Sequence, residues 1–188
     1  MRIVGITPRL SRTIICFFED DAPPVFQSLK SPQGVTVFKR QKTIVKHVQA
    51  LLRKHDIVVL EDFCVSDNVS STGKLVERSE LCGMLKLVCP AITELPWLSA
   101  LPPMLKTFIT GQASASNEEM LEAVSRDWGV CPTLNDEAIA FALARYTRSA
   151  LLHEEMYEKQ NQKFEAYGHN FTHLAKIRFF LPTILNAQ

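Results

Sequence analysis

The run Ile57-Val58-Val59-Leu60 constrains this chain more than any other stretch. Four consecutive apolar residues, without alternation, suit a strand buried on both faces, as in a parallel or mixed sheet covered by helices. The run stops at Glu61. A carboxylate directly after a buried strand lies at the carboxyl end of a sheet, where α/β folds place their sites. The other reading of such an acid is a loop cap or a salt-bridge partner. Asp62, which follows, alternates to the opposite side if the strand continues.

The rest of the chain supplies partners for that strand. Residues 2–7 (RIVGIT) and 12–18 (RTIICFF) are β-branched and aromatic, broken by Pro8–Ser11, and read as a hairpin. Residues 22–33, with Pro23, Pro24 and Pro32, read as a loop, and 34–39 (GVTVFK) alternate as a third strand. From Gln41 to His55 the apolar residues fall on a helical stripe. Residues 72–88 fit a helix that Pro90 ends, and Ala91–Leu95 a short strand. Pro96, Pro102 and Pro103 interrupt the chain around Trp97. Ser116-Asn117-Glu118-Glu119 is a helix start, and that helix runs to about Trp128, before Gly129. Residues 135–158 are alanine-rich and strongly helix-forming, and 159–188 are a more polar helical stretch. Strands alternating with helices predict an α/β fold, a mixed sheet flanked by helices.

The 188 residues suit one domain with an appended tail. The five cysteines (Cys16, Cys64, Cys82, Cys89, Cys131) are odd in number and form no Cys-x-x-Cys pair, which predicts reduced, mostly buried thiols of a cytoplasmic protein. The opening MRIVGITPRL has only a short apolar run, so no signal peptide is expected. No apolar stretch reaches the ~20 residues that cross a bilayer, so no membrane partner is expected. Net charge is only +1, but residues 1–60 hold ten Lys/Arg against four Asp/Glu, and 61–137 hold five against twelve. The asymmetry permits a phosphate-facing surface and equally permits solvated faces of both signs.

A second acid, Asp136, stands at the start of the alanine-rich helix, where it also reads as a first-turn acid. Four segments together resemble the RuvC Holliday-junction resolvases, of the RNase H-like superfamily. MRIVGITPRL is similar to their opening strand, which carries Gly-Ile-Asp-Pro-Gly. IVVLEDF resembles their second motif, a strand ending in Glu. PPMLKTFITGQASASNEEMLEAV resembles their Lys-x-x-x-x-Gly segment, loop and helix, and DEAIAFALA their Asp-x-x-Asp-Ala helix start. The segments come in family order across residues 1–150, leaving 151–188 as a C-terminal helical extension.

The resemblance implies an RNase H-like sheet, four carboxylates holding two Mg²⁺ or Mn²⁺ ions around a scissile phosphate, DNA as partner, and a homodimer. Glu61 matches the second acid and Asp136 the third. Thr7 stands at the first Asp position, Ile139 at the fourth, Arg9 at the glycine after Asp-Pro, and Asn117 at the later lysine, while Lys106 keeps the earlier one. Thr7 is neutral and Ile139 offers no oxygen, so metal binding is expected to be weak or absent. Arg9 brings a cation to the place of a metal charge and is a candidate phosphate ligand.

The expected function is therefore a catalytically inactive or impaired RuvC-like protein. It binds branched or structured DNA through Arg9, Lys74, Arg78, Lys106 and Asn117, with Phe63 stacking on a base or packed in the core. Two alternatives stay open: an active metal-dependent endonuclease with altered ligands, and a protein-interaction subunit docking through 151–188. His169 and His173 share a helix spacing but have no third ligand.

Overall fold

The computed structural model describes residues 1–20, 22–62 and 72–152. Phe63, Cys64, the His169/His173 pair and the expected extension from residue 153 onward lie outside the described residues. The elements run β1 (Arg2–Thr7), β2 (Arg12–Glu19), β3 (Val25–Lys30), α1 (Val37–Leu51), β4 (Ile57–Glu61) and α2 (Thr72–Thr93). They continue with β5 (Leu98–Ala100), α3 (Pro102–Thr110), α4 (Asn117–Trp128) and α5 (Asn135–Leu151). The expected alternation of strands and helices holds, but several boundaries move.

The third strand is 25–30, inside the expected loop, and 34–39 is not a strand. Pro23 and Pro24 lie just before Val25, where a missing N–H costs the sheet nothing, and β3 is an edge strand. Thr36 caps α1 by accepting from the Lys39 amide, and this cap overrides the alternation of GVTVFK. α1 stops at Leu51, short of His55, because Arg2 takes the Leu51 carbonyl and pairs with Asp56.

Pro90 does not end α2, which continues to Thr93. The Thr93 hydroxyl donates to the Cys89 carbonyl and accepts from the Leu95 amide, so the last turn is tied down despite the proline. The expected strand at 91–95 is instead the last turn of α2 and the bend after it, and β5 falls later, at Leu98–Ala100. Pro102 and Pro103 do not interrupt the chain. They open α3, where proline's fixed φ suits the first turn.

The sheet order is β3-β2-β1-β4-β5. The first three strands form an antiparallel meander, and β4 and β5 add in parallel beside β1. All five residues of β4 are buried, as the unbroken apolar run requires. One face of the sheet (Ile3, Ile14, Cys16, Ile57, Val59) packs under α3, α4 and α5, and the other (Val4, Ile6, Ile15, Val58, Leu60) under α1 and α2.

β1 and α5 come close enough for their backbones to touch at Gly5. A Cβ on Gly5 would lie 2.2 Å from the carbonyl oxygen of Ala140, so only glycine lets the two backbones meet. Ala138, Ala140, Ala142 and Ala144 of α5 are fully buried. Small residues on both sides bring the start of α5 down onto the tip of the sheet. This is the RNase H-like arrangement of a mixed sheet between helices.

Candidate functional site

Thr7 and Glu61 end neighbouring parallel strands and share the strand face that looks toward α5. Glu61 is 2% exposed, so its charge must be met inside the protein. The turn between β1 and β2 supplies Arg9. Its Nη1 donates to Glu61 Oε2 at 2.8 Å and its Nη2 to Oε1 at 3.2 Å. The same guanidinium reaches Asp136 Oδ1 at 3.5 Å and donates to the Pro8 carbonyl. Arg78 of α2 brings a second cation, with Nη2 2.9 Å from Glu61 Oε2. Two guanidiniums and two carboxylates thus form one balanced cluster at the end of the sheet.

The environment raises the pKa of two members, which favours the charge of one and disfavours that of the other. Burial works to lower the Arg9 pKa, but the Glu61 carboxylate, helped by Asp136, outweighs it and holds the guanidinium above its ordinary value. Burial raises the Asp136 pKa above the usual carboxylate range, and Arg9 only partly opposes this. Asp136 therefore holds its negative charge less readily than a free carboxylate.

The neighbouring acids are engaged elsewhere. Glu137 accepts from Thr133 and from the Leu134 amide, closing the start of α5. Asp62 lies 3.8 Å from Lys86, whose ammonium also sits 4.5 Å over the Trp97 ring. Asp20 pairs with the N-terminal ammonium at the opposite end of β1.

The described DNA-binding candidates divide between two clefts that share Arg9. The smaller, about 210 Å³, brings Arg9, Glu61, Lys106, Asn117 and Ile139 together. Asn117 is there because Ser116 and Glu119 form a capping box that starts α4 at this point. The larger, about 450 Å³, gathers Arg9, Lys74 and Arg78. It also contains Ser11 and Arg40, which the sequence reading passed over. Arg40 follows the segment read as a strand, and nothing in that reading placed it near Lys74.

A pair of divalent ions does not fit these residues. The two carboxylates are already taken by Arg9 and Arg78. Thr7 is fully buried and its hydroxyl has no hydrogen-bond partner among the described residues, but it is neutral. Ile139 presents only hydrocarbon. Among the described residues no three His, Cys, Asp or Glu side chains lie close enough to hold a metal. Mg²⁺ requires near-octahedral oxygen coordination, which this set does not offer.

The sheet order and the acid at the tip of β4 define the class: an RNase H-like α/β domain. Within that class the sequence is similar to curated RuvC proteins. No protein-family model matches it. It is 29% identical over 154 residues to the crossover junction endodeoxyribonuclease RuvC of Gloeobacter violaceus, covering 77% of this chain and 86% of that protein. The RuvC endodeoxyribonuclease of Carboxydothermus hydrogenoformans is 26% identical over 150 residues, with 77% and 92% covered. The Thermus thermophilus RuvC structure superposes with a TM-score of 0.60 at 19% identity, over 86% of this chain and 97% of that one. T. thermophilus RuvC in complex with a Holliday junction substrate gives 0.59 at 18% identity, over 77% and 90%. The described helices include none long and apolar enough to cross a membrane.

Proposed function

We propose that this chain is a catalytically inactive or severely impaired RuvC-like protein that binds branched DNA through the Glu61 end of its sheet. One observation carries the reading: the Arg9 guanidinium lies between Glu61 and Asp136, hydrogen-bonded to the first and ion-paired with the second. An internal cation then does electrostatically what bound metal would do for these acids, without activating water. The likeness to crossover junction endodeoxyribonucleases supports junction DNA as the partner. Arg9, Lys106 and Asn117 in the smaller cleft supply cationic and amide donors suited to a phosphodiester. Free Cys16, Cys82, Cys89 and Cys131 are in keeping with a cytoplasmic setting.

The test is a gel-shift titration of a four-way junction against linear duplex, in EDTA and again in Mn²⁺. The expected result is junction-preferring binding that does not need the metal and is not followed by strand cleavage. Equal or absent binding ends the binding reading. Cleavage in Mn²⁺ that disappears in Glu61→Gln ends the inactive one.

A homodimer forms part of the proposal, as the family resemblance implies. Val76 and Leu87, 51% and 78% exposed, lie eleven residues apart on one face of α2 with Gly83 between them. The proposed boundary between the domain (1–150) and its extension (151–188) falls at the end of α5.

A further inference from the structure

We infer that the larger cleft is a second phosphate seat, in which Arg40, Lys74 and Ser11 hold a backbone phosphate of the DNA strand that passes Glu61. The inference rests on the DNA-binding reading above and extends it to residues outside the site at the sheet tip.

The cleft opens among three elements: the turn after β1 (Arg9, Leu10, Ser11), α1 (Arg40) and the start of α2 (Lys74 to Arg78). Its cations fall into two groups. Arg9 and Arg78 are balanced by Glu61 and Asp136. Arg40 and Lys74 are not, because among the described residues neither forms an ion pair. Arg40 is nevertheless fixed. Its Nε donates to Ser31 Oγ at 3.1 Å and its Nη2 to the Leu10 carbonyl at 3.3 Å. Both acceptors are neutral, so the guanidinium is oriented while its charge stays available. Lys74 and Ser11 stand exposed nearby.

Glu77 brings one carboxylate to the wall, leaving a cationic excess. Leu10 and Leu75 are the apolar lining, and no aromatic ring lines the cleft among the described residues, so the chemistry on offer suits the sugar-phosphate backbone. Arg9 lines both clefts, and a strand crossing the smaller one runs past it into the larger.

The experiment measures binding of four-way junction DNA to the full chain across a range of salt concentrations, for wild type, Arg40→Ala and Lys74→Glu. Each lost phosphate contact lowers the slope of log affinity against log salt by about 1. Both variants are expected to show that decrease, with affinity severalfold weaker for junction and duplex alike. Arg40→Ala also removes the tie to Ser31 and Leu10. Should it fail to fold, Lys74→Glu, an exposed side chain without a partner among the described residues, carries the test. Wild-type binding with an unaltered slope in the folded variants overturns this inference alone. Absence of DNA binding by the wild type overturns the function reading and this inference with it.

Discussion

Arg9 and Glu61 face each other through two parallel contacts, 2.8 and 3.2 Å long, although 52 positions separate them in the chain. The paired geometry matches the fork of a guanidinium to the two oxygens of a carboxylate. Removing Arg9 leaves the buried Glu61 carboxylate with only Arg78 as its ion-pair partner among the described residues.

Arg9→Ala is expected to cost about 1–3 kcal/mol of unfolding free energy, less than for an isolated buried pair because Arg78 remains on Glu61. Adding Glu61→Gln should return part of that loss, since the uncompensated charge goes with it. Urea denaturation of the two single variants and the double variant reads both effects. Strictly additive losses would mean that the pair is not coupled.

The same pair sets the response to metal. Titration calorimetry with Mn²⁺ on the wild type, without DNA, is expected to show no stoichiometric site. Combining Thr7→Asp, Arg9→Gly and Ile139→Asp removes the guanidinium and raises the local carboxylates from two to four, and this variant should bind Mn²⁺. Saturable wild-type binding that Glu61→Gln abolishes would contradict the balanced-cluster account.

Acid should affect Asp136 in a definite direction. Its folded pKa lies above the unfolded value, so it favours the folded state fully only below the unfolded pKa, and that contribution is lost as pH rises through the folded pKa. Asp136→Asn has no ionised form to penalise. Its melting temperature relative to wild type should therefore be higher near pH 7 than near pH 3. A constant difference across that window would show that burial does not destabilise the Asp136 charge.

Gly5→Ala is expected to be among the most damaging single changes in the sheet. The added Cβ meets backbone, the Ala140 carbonyl oxygen, rather than a yielding side chain. Overpacking of this kind costs typically about 1–3 kcal/mol, and a rigid neighbour places it at the upper end. A melting temperature within a degree of wild type would mean that α5 slides freely over β1.

If α2 carries the contact between two copies, Leu87→Glu should halve the mass seen by light scattering and leave the circular dichroism spectrum unchanged. Leu87 is 78% exposed, so the change does not disturb the core. A wild-type chain that is monomeric at all concentrations removes the dimer from the proposal.

Much of this was legible in the residues. The unbroken IVVL run announced a strand buried on both faces, and the acid that ends it stands at the sheet tip. Asp136 was visible as a first-turn acid of a helix rich in alanine. The β3 and β5 positions were hidden, because proline marks both loops and the edges of strands, and because Thr36 and Pro102 start helices where the local pattern read otherwise. Arg78 was legible as a cation but not as a partner of Glu61. Its contact depends on how α2 lies against the sheet, which no spacing within the helix records. Arg40 was missed for the same reason, since its neighbours in the cleft belong to other elements.

The bare backbone at Gly5 has one more consequence. It seats α5 on the sheet by close approach of main chains at Ala140, apart from the side-chain contacts at the tip of the sheet. Framework and reactive groups are thereby uncoupled, and such a scaffold can change the chemistry it displays without giving up its shape. The same architecture that positions acids in a nuclease here holds an arginine clasp against two of them.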